Sequence, residues 1–279
     1  MVFLLELLLL FFAALAIGIL GNVAGIGGGV LLMLIFIFLL GIDPVVAGGL
    51  SLLTIISSTA FGSLINRGQG SIDKRLFLDI AVLSGTGAVI GSVLSYYIIV
   101  SSFKLFFGIT VLGLGLFSFI SARIEIRVNR DKDYLKRTFA ESHESGLDRF
   151  RSHRSLALVS FIAGIISGTF GVGIGAVVGT FLTSIKHIHP KVAFSTLLAS
   201  MIITSTVGAA VHFSEPGLAV NMMLLMMLLV PLLTGAALGG FTGAQLSNRM
   251  SFSSLRSSQS YIVMFFGALS IAMSLLRFH

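Results

Sequence analysis

A long apolar stretch at the start of the chain constrains the fold more than any other feature. Residues 4–20 and 30–40 carry one charged side chain, Glu6, and between them lies GNVAGIGGG (21–29), in which five of nine residues are glycine. Hydrocarbon cannot hydrogen-bond backbone N–H and C=O groups, so irregular backbone at membrane depth has to be buried in protein or line a cavity. The glycine segment therefore predicts a break in a membrane helix at a specialised position.

The composition of the chain places it in a membrane. Apolar residues make up 56% of its 279 residues and charged residues only 10%, against about 25% charged residues in a soluble domain. The N-terminal apolar run lacks the Lys/Arg region of a signal peptide and continues too far for one, so we expect it to be the first membrane segment. The absence of cysteine excludes disulfides, thiolate catalysis and cysteine metal sites.

The apolar pattern predicts an all-α polytopic membrane protein. A helix that crosses a hydrocarbon core of about 30 Å needs roughly 20 apolar residues. Two stretches, 3–40 and 156–185, are longer than this and are interrupted by glycines. Depending on how these two are counted, we expect about 8–10 membrane segments. The uninterrupted segments are 45–65, 76–99, 103–121, 192–213, 219–246 and 258–276.

The basic residues indicate the orientation. If each interrupted stretch makes two crossings, or a hairpin that enters and leaves on one side, the loops 66–75, 122–155, 186–191 and 247–257 share a side and carry 16 of the 18 Lys and Arg residues. If each is one broken crossing, the split is 13 to 5. The positive-inside rule favours the first arrangement. It predicts a plasma (inner) membrane protein with cytoplasmic loops and non-cytoplasmic termini, and it explains the net charge of +7 without nucleic-acid binding.

An internal repeat divides the chain into two halves. A shift of 146 residues aligns the glycines of the two interrupted stretches and the prolines that follow them. The aligned pairs are Gly18/Gly164, Gly25/Gly171, Gly27/Gly173, Gly29/Gly175, Pro44/Pro190, Ala47/Ala193 and Gly62/Gly208. We therefore expect a first membrane repeat over 1–121, a charged cytoplasmic connector over 122–155 and a second membrane repeat over 156–279. With an odd number of crossings per half the repeats are inverted, and such repeats with broken helices bind substrate at the breaks.

Glycine-rich breaks can bind a ligand through the backbone. Without a Cβ the backbone can approach a ligand closely, and a helix that starts near Gly28 or Gly175 presents unpaired N–H groups and a positive dipole end, which suits an anion. Small-xxx-small spacing also packs membrane helices, and we assign the glycines at 87–91 and 235–239 to packing. For the two breaks a substrate site is favoured. The candidate glycines are Gly25, Gly27, Gly28, Gly29, Gly168, Gly171, Gly173 and Gly175.

Polar side chains at membrane depth are further candidates for substrate contacts. Asn22 lies in the first break, and Thr169 is its nearest counterpart in the second. Hydroxyl groups on the next segments could replace part of an oxyanion's hydration shell or bond back to their own helix, and the sequence leaves both open. These residues correspond under the shift as Thr54 to Ser200 and Ser58 to Thr204.

The chain carries no signature of catalysis. The patterns G-x-S-x-G, H-E-x-x-H and paired intramembrane aspartates are missing, so we expect neither an enzyme nor a cofactor. His187 and His189 form a His-x-His pair, but no third ligand lies near them in the sequence. We assign the pair to a surface turn rather than to a metal site.

The order of these features resembles the sulfite exporter TauE/SafE family. The resemblance covers both halves without the connector, and its motifs are GNVAGIGGG (21–29), GIDPVVAGGLSLLTIISSTAFGSLI (41–65), GTFGVGIGA (168–176) and HPKVAFSTLLASMIITSTVG (189–208). Members of that family are prokaryotic plasma-membrane permeases for sulfur-containing anions such as sulfite and sulfonates. Two departures stand out: no proline follows the glycine triplet within 30–40, and the second break has GVGIG instead of a full triplet.

The resemblance and the breaks together predict a permease that moves a small anion, a sulfur oxyanion or an organosulfonate, across a lipid bilayer by alternating access. The oligomeric state stays open. One alternative is a membrane assembly or anchoring factor, whose breaks should tolerate bulky residues as long as the helices pack. A less favoured alternative is an intramembrane enzyme, whose activity should depend on one serine or histidine.

Overall fold

The fold is all-α in the part of the chain that the computed structural model describes, residues 2–68, 70–98, 100–128, 146–214 and 222–276. Short helices α2 and α7 each continue into a π-helical turn, Ile35–Leu39 and Phe181–Ile185. In chain order the helices are α1 (Val2–Val23), α2 (Gly29–Leu34), α3 (Pro44–Gly68), α4 (Lys74–Ser95), α5 (Val100–Val128), α6 (Gly146–Phe170), α7 (Gly175–Thr180), α8 (Pro190–His212), α9 (Met222–Arg249) and α10 (Phe252–Leu276).

Several helix boundaries differ from the apolar segments. Helix α5 continues to Val128 and α6 begins at Gly146, so the charged connector is helical at both ends, while its residues 129–145 lie outside the described part. Helix α10 begins at Phe252, so the assignment of 247–257 to a loop is wrong for its second half. Arg256 consequently belongs to a helix and not to a cytoplasmic loop.

Equivalent residues of the two halves begin equivalent helices. Asp43 and His189 align under the shift, and each precedes a proline that begins a long helix. Proline suits the first helical position because it lacks an N–H and its φ is already helical. The Asp43 carboxylate accepts a hydrogen bond from the Val45 N–H at 2.9 Å, and His189 Nδ1 accepts one from the Lys191 N–H at 3.3 Å. Side-chain caps therefore start α3 and α8 in the same way.

The protein is a multi-pass membrane protein. Six of the described helices, α1, α3, α4, α5, α8 and α9, contain stretches that are long and apolar enough to cross a membrane. Large apolar side chains cover their outer faces, and Leu9, Val82 and Val230 are 61%, 62% and 64% exposed. Many serine and threonine side chains are buried instead. An apolar exterior around a partly polar interior is stable in hydrocarbon and costly in water.

The secondary structure repeats with the sequence. Helices α2 and α7, and the π-helical turns that follow them, occupy equivalent residues under the shift of 146. The two helices are preceded by equivalent segments in which the long helices α1 and α6 end. The glycine spacing is therefore accompanied by the same local structure in both halves.

Glycine contacts show that the first helix of each half lies beside the third long helix of the other half. Glycines of α9 face carbonyl oxygens of α1, and glycines of α4 face those of α6, so each pair packs closely. In both pairs the contacts advance in the same direction along the two chains, so the paired helices are parallel. The facing pairs are Gly235/Phe11, Gly239/Leu15, Gly87/Phe161 and Gly91/Ile165. The four glycines assigned to packing therefore lie in helix contacts.

Equivalent helices of the two halves run antiparallel to each other. Gly48 and Leu52, near the start of α3, contact His212 and Gly208 at the end of α8. Helices α5 and α10 likewise pack with their directions opposed, through Gly108 against Ile271 and Gly115 against Met264. This geometry is what an inverted repeat requires, and the inversion relative to the bilayer stays a prediction.

Each interrupted stretch doubles back on itself. Asn22, at the end of α1, lies beside Gly62 near the end of α3, whereas the chain after α2 leads into the start of α3 at Pro44. Helix α2 therefore runs back along α1, and Gly28 contacts Ile17. In the second half, α6 runs parallel to α4 and α7 returns towards the start of α8. The two stretches form hairpins that enter the protein from opposite ends.

Candidate functional site

The tips of the two hairpins lie against each other in the centre of the protein. A Cβ added to Gly29 would lie 2.5 Å from the carbonyl oxygen of Gly171, and one added to Gly175 would overlap the carbonyl oxygen of Gly25. The backbone of each break thus touches the helix start of the other. All residues from Gly21 to Leu34 are buried. The structure brings the predicted glycines of 25–29 and 171–175 together, whereas Gly168 lies within α6 against the Ala88 carbonyl oxygen of α4.

The backbone conformation explains where glycine is needed. Gly25 and Gly27 have φ of 67° and 75°, and their equivalents Gly171 and Gly173 have 62° and 77°. This left-handed region is costly for residues with a Cβ.

The middle glycine of the triplet in the first break, Gly28, has no glycine counterpart in the second break for a conformational reason. Gly28 has φ of 89°, whereas its equivalent Ile174 has φ of −90°, which any residue adopts. The second break can therefore keep the shape of its Gly171 and Gly173 turns without a full glycine triplet. The two helix starts differ at this one residue.

Helix starts at the two breaks provide backbone donors. The Gly28 carbonyl accepts from the N–H groups of Leu31 and Leu32 at 3.1 and 3.3 Å, which opens α2 directly after the turn. The first N–H groups of any helix have no partner within it. The start of α2 lies against Gly171 and the start of α7 lies against Gly25, so both breaks place such groups in the same region.

Ser51 joins the two breaks. Its hydroxyl donates to the carbonyl oxygen of Gly171 at 2.7 Å and lies 3.4 Å from that of Gly29. Ser51 is completely buried. Ile55 and Thr59, one and two turns further along α3, contact Gly27. Met201, the residue of α8 that is equivalent to Ile55, contacts Gly27 as well. One face of α3 and the equivalent face of α8 therefore line the breaks.

Asn22 connects the first break to α3. Its Nδ2 donates to Ser58 Oγ at 2.7 Å and to the Gly18 carbonyl oxygen at 2.9 Å. The residue is 1% exposed, and its Oδ1 has no hydrogen-bond partner among the described residues. Gly62 leaves room for this oxygen, because a Cβ there would overlap it. Two candidates from the sequence, Asn22 and Ser58, thus form a direct contact.

The remaining hydroxyl candidates bond within the protein. Thr169 donates towards the carbonyl oxygens of Gly91 at 3.1 Å and Ile165 at 2.9 Å, and Thr54 donates to Leu50 of its own helix at 2.8 Å. Because the hydroxyls of Thr169 and Thr54 already bond to carbonyl oxygens, their contact with a substrate stays a prediction.

Two α8 candidates lie against α4. Thr204 Oγ1 lies 2.5 Å from Ser84 Oγ, and Ser200 Oγ lies 3.3 Å from the Phe77 carbonyl oxygen. Their hydroxyls thus contact α4, and Met201 between them contacts the first break. The sequence could not fix the rotation of α8, so a role of Ser200 and Thr204 towards substrate stays a prediction.

Two buried polar residues of α10 were not among the sequence candidates. Arg256 is 0% exposed, and Gln259, equally buried, donates through Nε2 to the Gly175 carbonyl oxygen at 3.2 Å. Hydropathy alone placed Arg256 in a loop because it penalises every arginine. The signal that could have found it is its spacing of three from Gln259, which puts both on one helix face.

The histidines near Pro190 lie just before the start of α8. The described residues contain no group of three or more His, Asp or Glu side chains that could hold a metal ion. Burial, and secondarily the positive charge of Lys191, lower the pKa of His189 below its usual value. A neutral imidazole is the form that accepts the Lys191 N–H, so His189 acts as a helix cap.

Comparisons with known proteins identify a family of membrane proteins and two similar transporters. The family model described as sulfite exporter TauE/SafE matches residues 10–276. The chain is 28% identical over 241 residues to the probable membrane transporter protein YunE of Bacillus subtilis (strain 168), covering 84% of this chain and 85% of YunE. It is 36% identical over 95 residues to the probable membrane transporter protein YdhB of the same organism, covering 33% of this chain and 36% of YdhB. No solved structure gives a significant match. These names describe transporters and not enzymes.

Proposed function

Because the chain belongs to the sulfite exporter TauE/SafE family, we propose that this membrane transporter carries a small anion, a sulfur oxyanion or an organosulfonate, past its paired glycine breaks. Transport proceeds by alternating access, in which the two halves open the central region to each side in turn. The substrate site consists of the breaks around Gly25–Gly29 and Gly171–Gly175 with Ser51 between them.

One observation carries this proposal: two irregular backbone segments from opposite hairpins touch at the centre of a membrane protein. Backbone that leaves the helical pattern at membrane depth has to be covered by protein or line a cavity. In transporters, unwound segments and the starts of half-helices form the substrate site. The contact of Gly29 with Gly171, and of Gly175 with Gly25, supports the same role here.

The chemistry of the central region favours an anion. The starts of α2 and α7 supply N–H groups and positive dipole ends, which bind oxyanions without a basic side chain. The Ser51 hydroxyl can donate to a bound oxygen in exchange for its bond to Gly171. An oxyanion accepts stronger hydrogen bonds from these donors than a neutral solute does, and a cation is repelled by the positive dipole ends.

Alternating access requires movement, because both breaks are covered in this structure. Residues 21–34 and 167–176 are buried, and the next residue along α7, Val177, is partly exposed. The pairing of α1 with α9 and of α6 with α4 joins each hairpin to the opposite half. A displacement of the halves would therefore carry each hairpin tip past the other.

Uptake of anions by purified protein in liposomes tests the proposal. The panel contains sulfite, sulfate, thiosulfate and a short sulfonate. We expect saturable uptake of at least one of them, lowered roughly threefold to tenfold by Ser51→Ala, which removes one donor from the centre. The matched control is Ser57→Ala on the same helix, which also removes a bond to a carbonyl oxygen, that of Leu233 at 2.8 Å, away from the breaks.

The outcomes separate the candidate functions. Equal loss of uptake in both serine variants would point to packing alone and not to a substrate contact. No uptake of any panel anion by folded wild-type protein would contradict the proposal and favour an assembly or anchoring factor.

A further inference from the structure

His212 is the last residue of α8, at the end of the protein that the loop charges place outside the cytoplasm. It is 1% exposed, and its Nε2 lies 2.8 Å from the Gly168 carbonyl oxygen near the end of α6. A carbonyl oxygen only accepts hydrogen bonds, so Nε2 carries the hydrogen of the neutral ring and Nδ1 carries the lone pair. Nδ1 has no hydrogen-bond partner among the described residues, and the Val45 backbone approaches the ring from α3. The ring can therefore take up a proton at Nδ1.

Gly48 of α3 leaves the space for this ring, because a Cβ there would lie 2.9 Å from His212 Cε1. The same glycine touches the second break, where its Cα would lie 3.0 Å from a Cβ added to Gly171. Gly48 therefore contacts both the imidazole and the Gly171 turn, and it puts no side chain between them. Together with the bond to Gly168, this contact places His212 beside the second break.

The first break has different neighbours at the equivalent positions. Under the shift of 146, Gly48 corresponds to Phe194, whose Cγ would lie 2.5 Å from a Cβ added to Gly25. The residue that corresponds to His212 is Asn66, whose amide does not titrate. A phenyl ring thus covers the first break, and a titratable ring lies beside the second. The imidazole is a feature of one half and not of the shared fold.

The surroundings of the ring do not neutralise a positive charge. Of the titratable residues at this end of α3 and α4, Asp43 and Tyr97 are exposed, and the Tyr96 ring contacts the imidazole edge-on with the centroids 6.3 Å apart. Helix α6 carries no titratable side chain between residues 155 and 170, and Glu215 lies outside the described residues. In the described part of the chain, no charged side chain of these three helices therefore pairs with His212.

We propose that His212 is the titratable group of the anion site, and that its Nδ1 takes a proton from water when an oxyanion binds at the second break. This inference rests on the proposed function. A negative charge nearby favours the charged form of histidine, and ionisable residues at membrane depth mark functional sites. The protonated ring keeps its bond to Gly168 and gains a second N–H, for which the Val45 carbonyl is an acceptor next to the ring. When the anion leaves, Nδ1 returns the proton to water.

Linkage fixes the direction of the pH dependence. If anion binding takes up a proton, protonation raises the affinity for the anion by the same coupling factor. The affinity should therefore rise, and KM should fall, as the pH is lowered. For one linked proton the change is at most about tenfold per pH unit. Such a site discriminates against neutral solutes of the same shape, and does so more strongly at low pH.

Uptake by proteoliposomes at pH 8 and pH 6 tests the assignment with His212→Gln. Glutamine offers an amide N–H to the Gly168 carbonyl oxygen and does not titrate. With the panel anion that wild-type protein takes up, we expect the wild-type KM to fall roughly threefold to tenfold from pH 8 to pH 6, and that of the variant to change by less than about twofold. Any titration of the anion itself affects both proteins equally. The control is His187→Gln, an exposed histidine just before α8 at its opposite end, which should keep the wild-type pH dependence.

The outcomes are distinguishable. The same pH dependence in wild-type protein and His212→Gln would overturn the inference and leave the proposed function standing. No uptake of sulfite, sulfate, thiosulfate or sulfonate by wild-type protein would overturn both.

A measurement on the wild-type protein alone covers the case in which His212→Gln fails to fold. The transported anion is added to purified protein in weakly buffered detergent solution, and a titration without protein is subtracted. We expect protons to leave the solution, up to about one per protein molecule, because binding and protonation are linked. Absence of proton uptake throughout the range from pH 6 to pH 8 would refute the assignment.

Discussion

Asn22 shows how one side chain can stabilise an irregular segment at membrane depth. Its amide joins the last turn of α1 to Ser58 on α3, close to the point where the chain leaves the helix. A buried amide without such a partner would cost the full desolvation of its polar group. The contact thus fixes where the first hairpin turns.

Removal of the partner hydroxyl should destabilise the protein. In Ser58→Ala, one Asn22 N–H loses its acceptor inside the protein, and we expect a loss of about 1–3 kcal/mol in unfolding free energy. Thermal unfolding of the purified protein in detergent measures the effect. Ser214→Ala is the control, because Ser214 is exposed and its hydroxyl donates to the Ala210 carbonyl oxygen one turn earlier. Equal midpoints for both variants would contradict the structural role of the Asn22 contact.

At this scale the glycines could be predicted and the hydroxyls only in part. A positive φ favours glycine over other residues, so positions such as Gly25 and Gly171 can be recognised from the residue type alone. The sequence identified hydroxyl groups in the segment that forms α3, but whether Ser51 or Thr54 faces the break depends on the rotation of the helix. That rotation is set by neighbouring helices, which the sequence of one segment does not contain.

Helix pairs in this protein approach closely wherever glycine replaces a side chain. In α5, Gly115 lies against the backbone of Met264 on α10, whereas a Cβ added to Gly113, two residues earlier, would meet nothing within 4 Å among the described residues. The same residue type therefore serves packing at one position and not at the other. The two positions provide a matched pair.

Alanine substitution should separate the two glycines of α5. Gly115→Ala places a methyl group 2.7 Å from the Met264 Cα and should cost about 1–3 kcal/mol through overpacking. Gly113→Ala should be neutral or stabilise by about 0.5–1 kcal/mol, because alanine is the better helix former. Unfolding of both variants in detergent measures the difference. Identical effects would mean that α5 and α10 do not pack as described.

The sequence predicted that the two long apolar stretches are interrupted before α2 and α7. It did not predict that the chain reverses its direction at these short helices. Glycines and the following Pro44 and Pro190 predicted where α1 and α6 end and where the next long helices begin. The reversal of α2 along α1 depends on contacts such as Gly28 with Ile17, which the glycine spacing alone does not specify. The sequence accordingly left a hairpin, two crossings and one broken crossing open.

Across the whole molecule, loops divide between two ends. The Tyr96 hydroxyl bonds to the Val211 carbonyl oxygen, so the loop between α4 and α5 lies with the end of α8. At the opposite end Asn248 bonds to Asn66, and Lys191 Nζ donates to the Asn248 carbonyl oxygen at 2.9 Å. The second group contains the basic loops, which the positive-inside rule assigns to the cytoplasm.

Cysteine labelling can test this orientation, because the natural chain has no cysteine. Tyr97 is 79% exposed at one end, and Ser251 is exposed at the other. In intact cells a membrane-impermeant maleimide should modify Tyr97→Cys and leave Ser251→Cys unmodified until the cells are opened. The reverse pattern would overturn the orientation, and labelling of both from outside would overturn the arrangement of the two ends.

The two halves should depend on each other for folding. Because α1 packs on α9 and α6 packs on α4, neither half contains the partner of its own first helix. We expect residues 1–128 or 146–279 expressed alone to be degraded, and the two fragments expressed together to assemble and copurify. Stable, monodisperse accumulation of either fragment alone would show that the halves fold independently. The sequence repeat predicted two halves, but it could not predict that they exchange partners.

The exchange of partners also sets an order for biosynthesis. Helix α1 is translated first, yet its main neighbour α9 begins only at Met222. Until Gly175 is made the first hairpin tip lacks α7, and until Met222 the hairpin lacks α9, so the protein cover of its turn backbone against hydrocarbon is incomplete. The nascent chain must shelter that turn beside the insertion machinery or leave it near the membrane surface. Release of a finished transporter is thereby tied to synthesis of nearly the entire polypeptide.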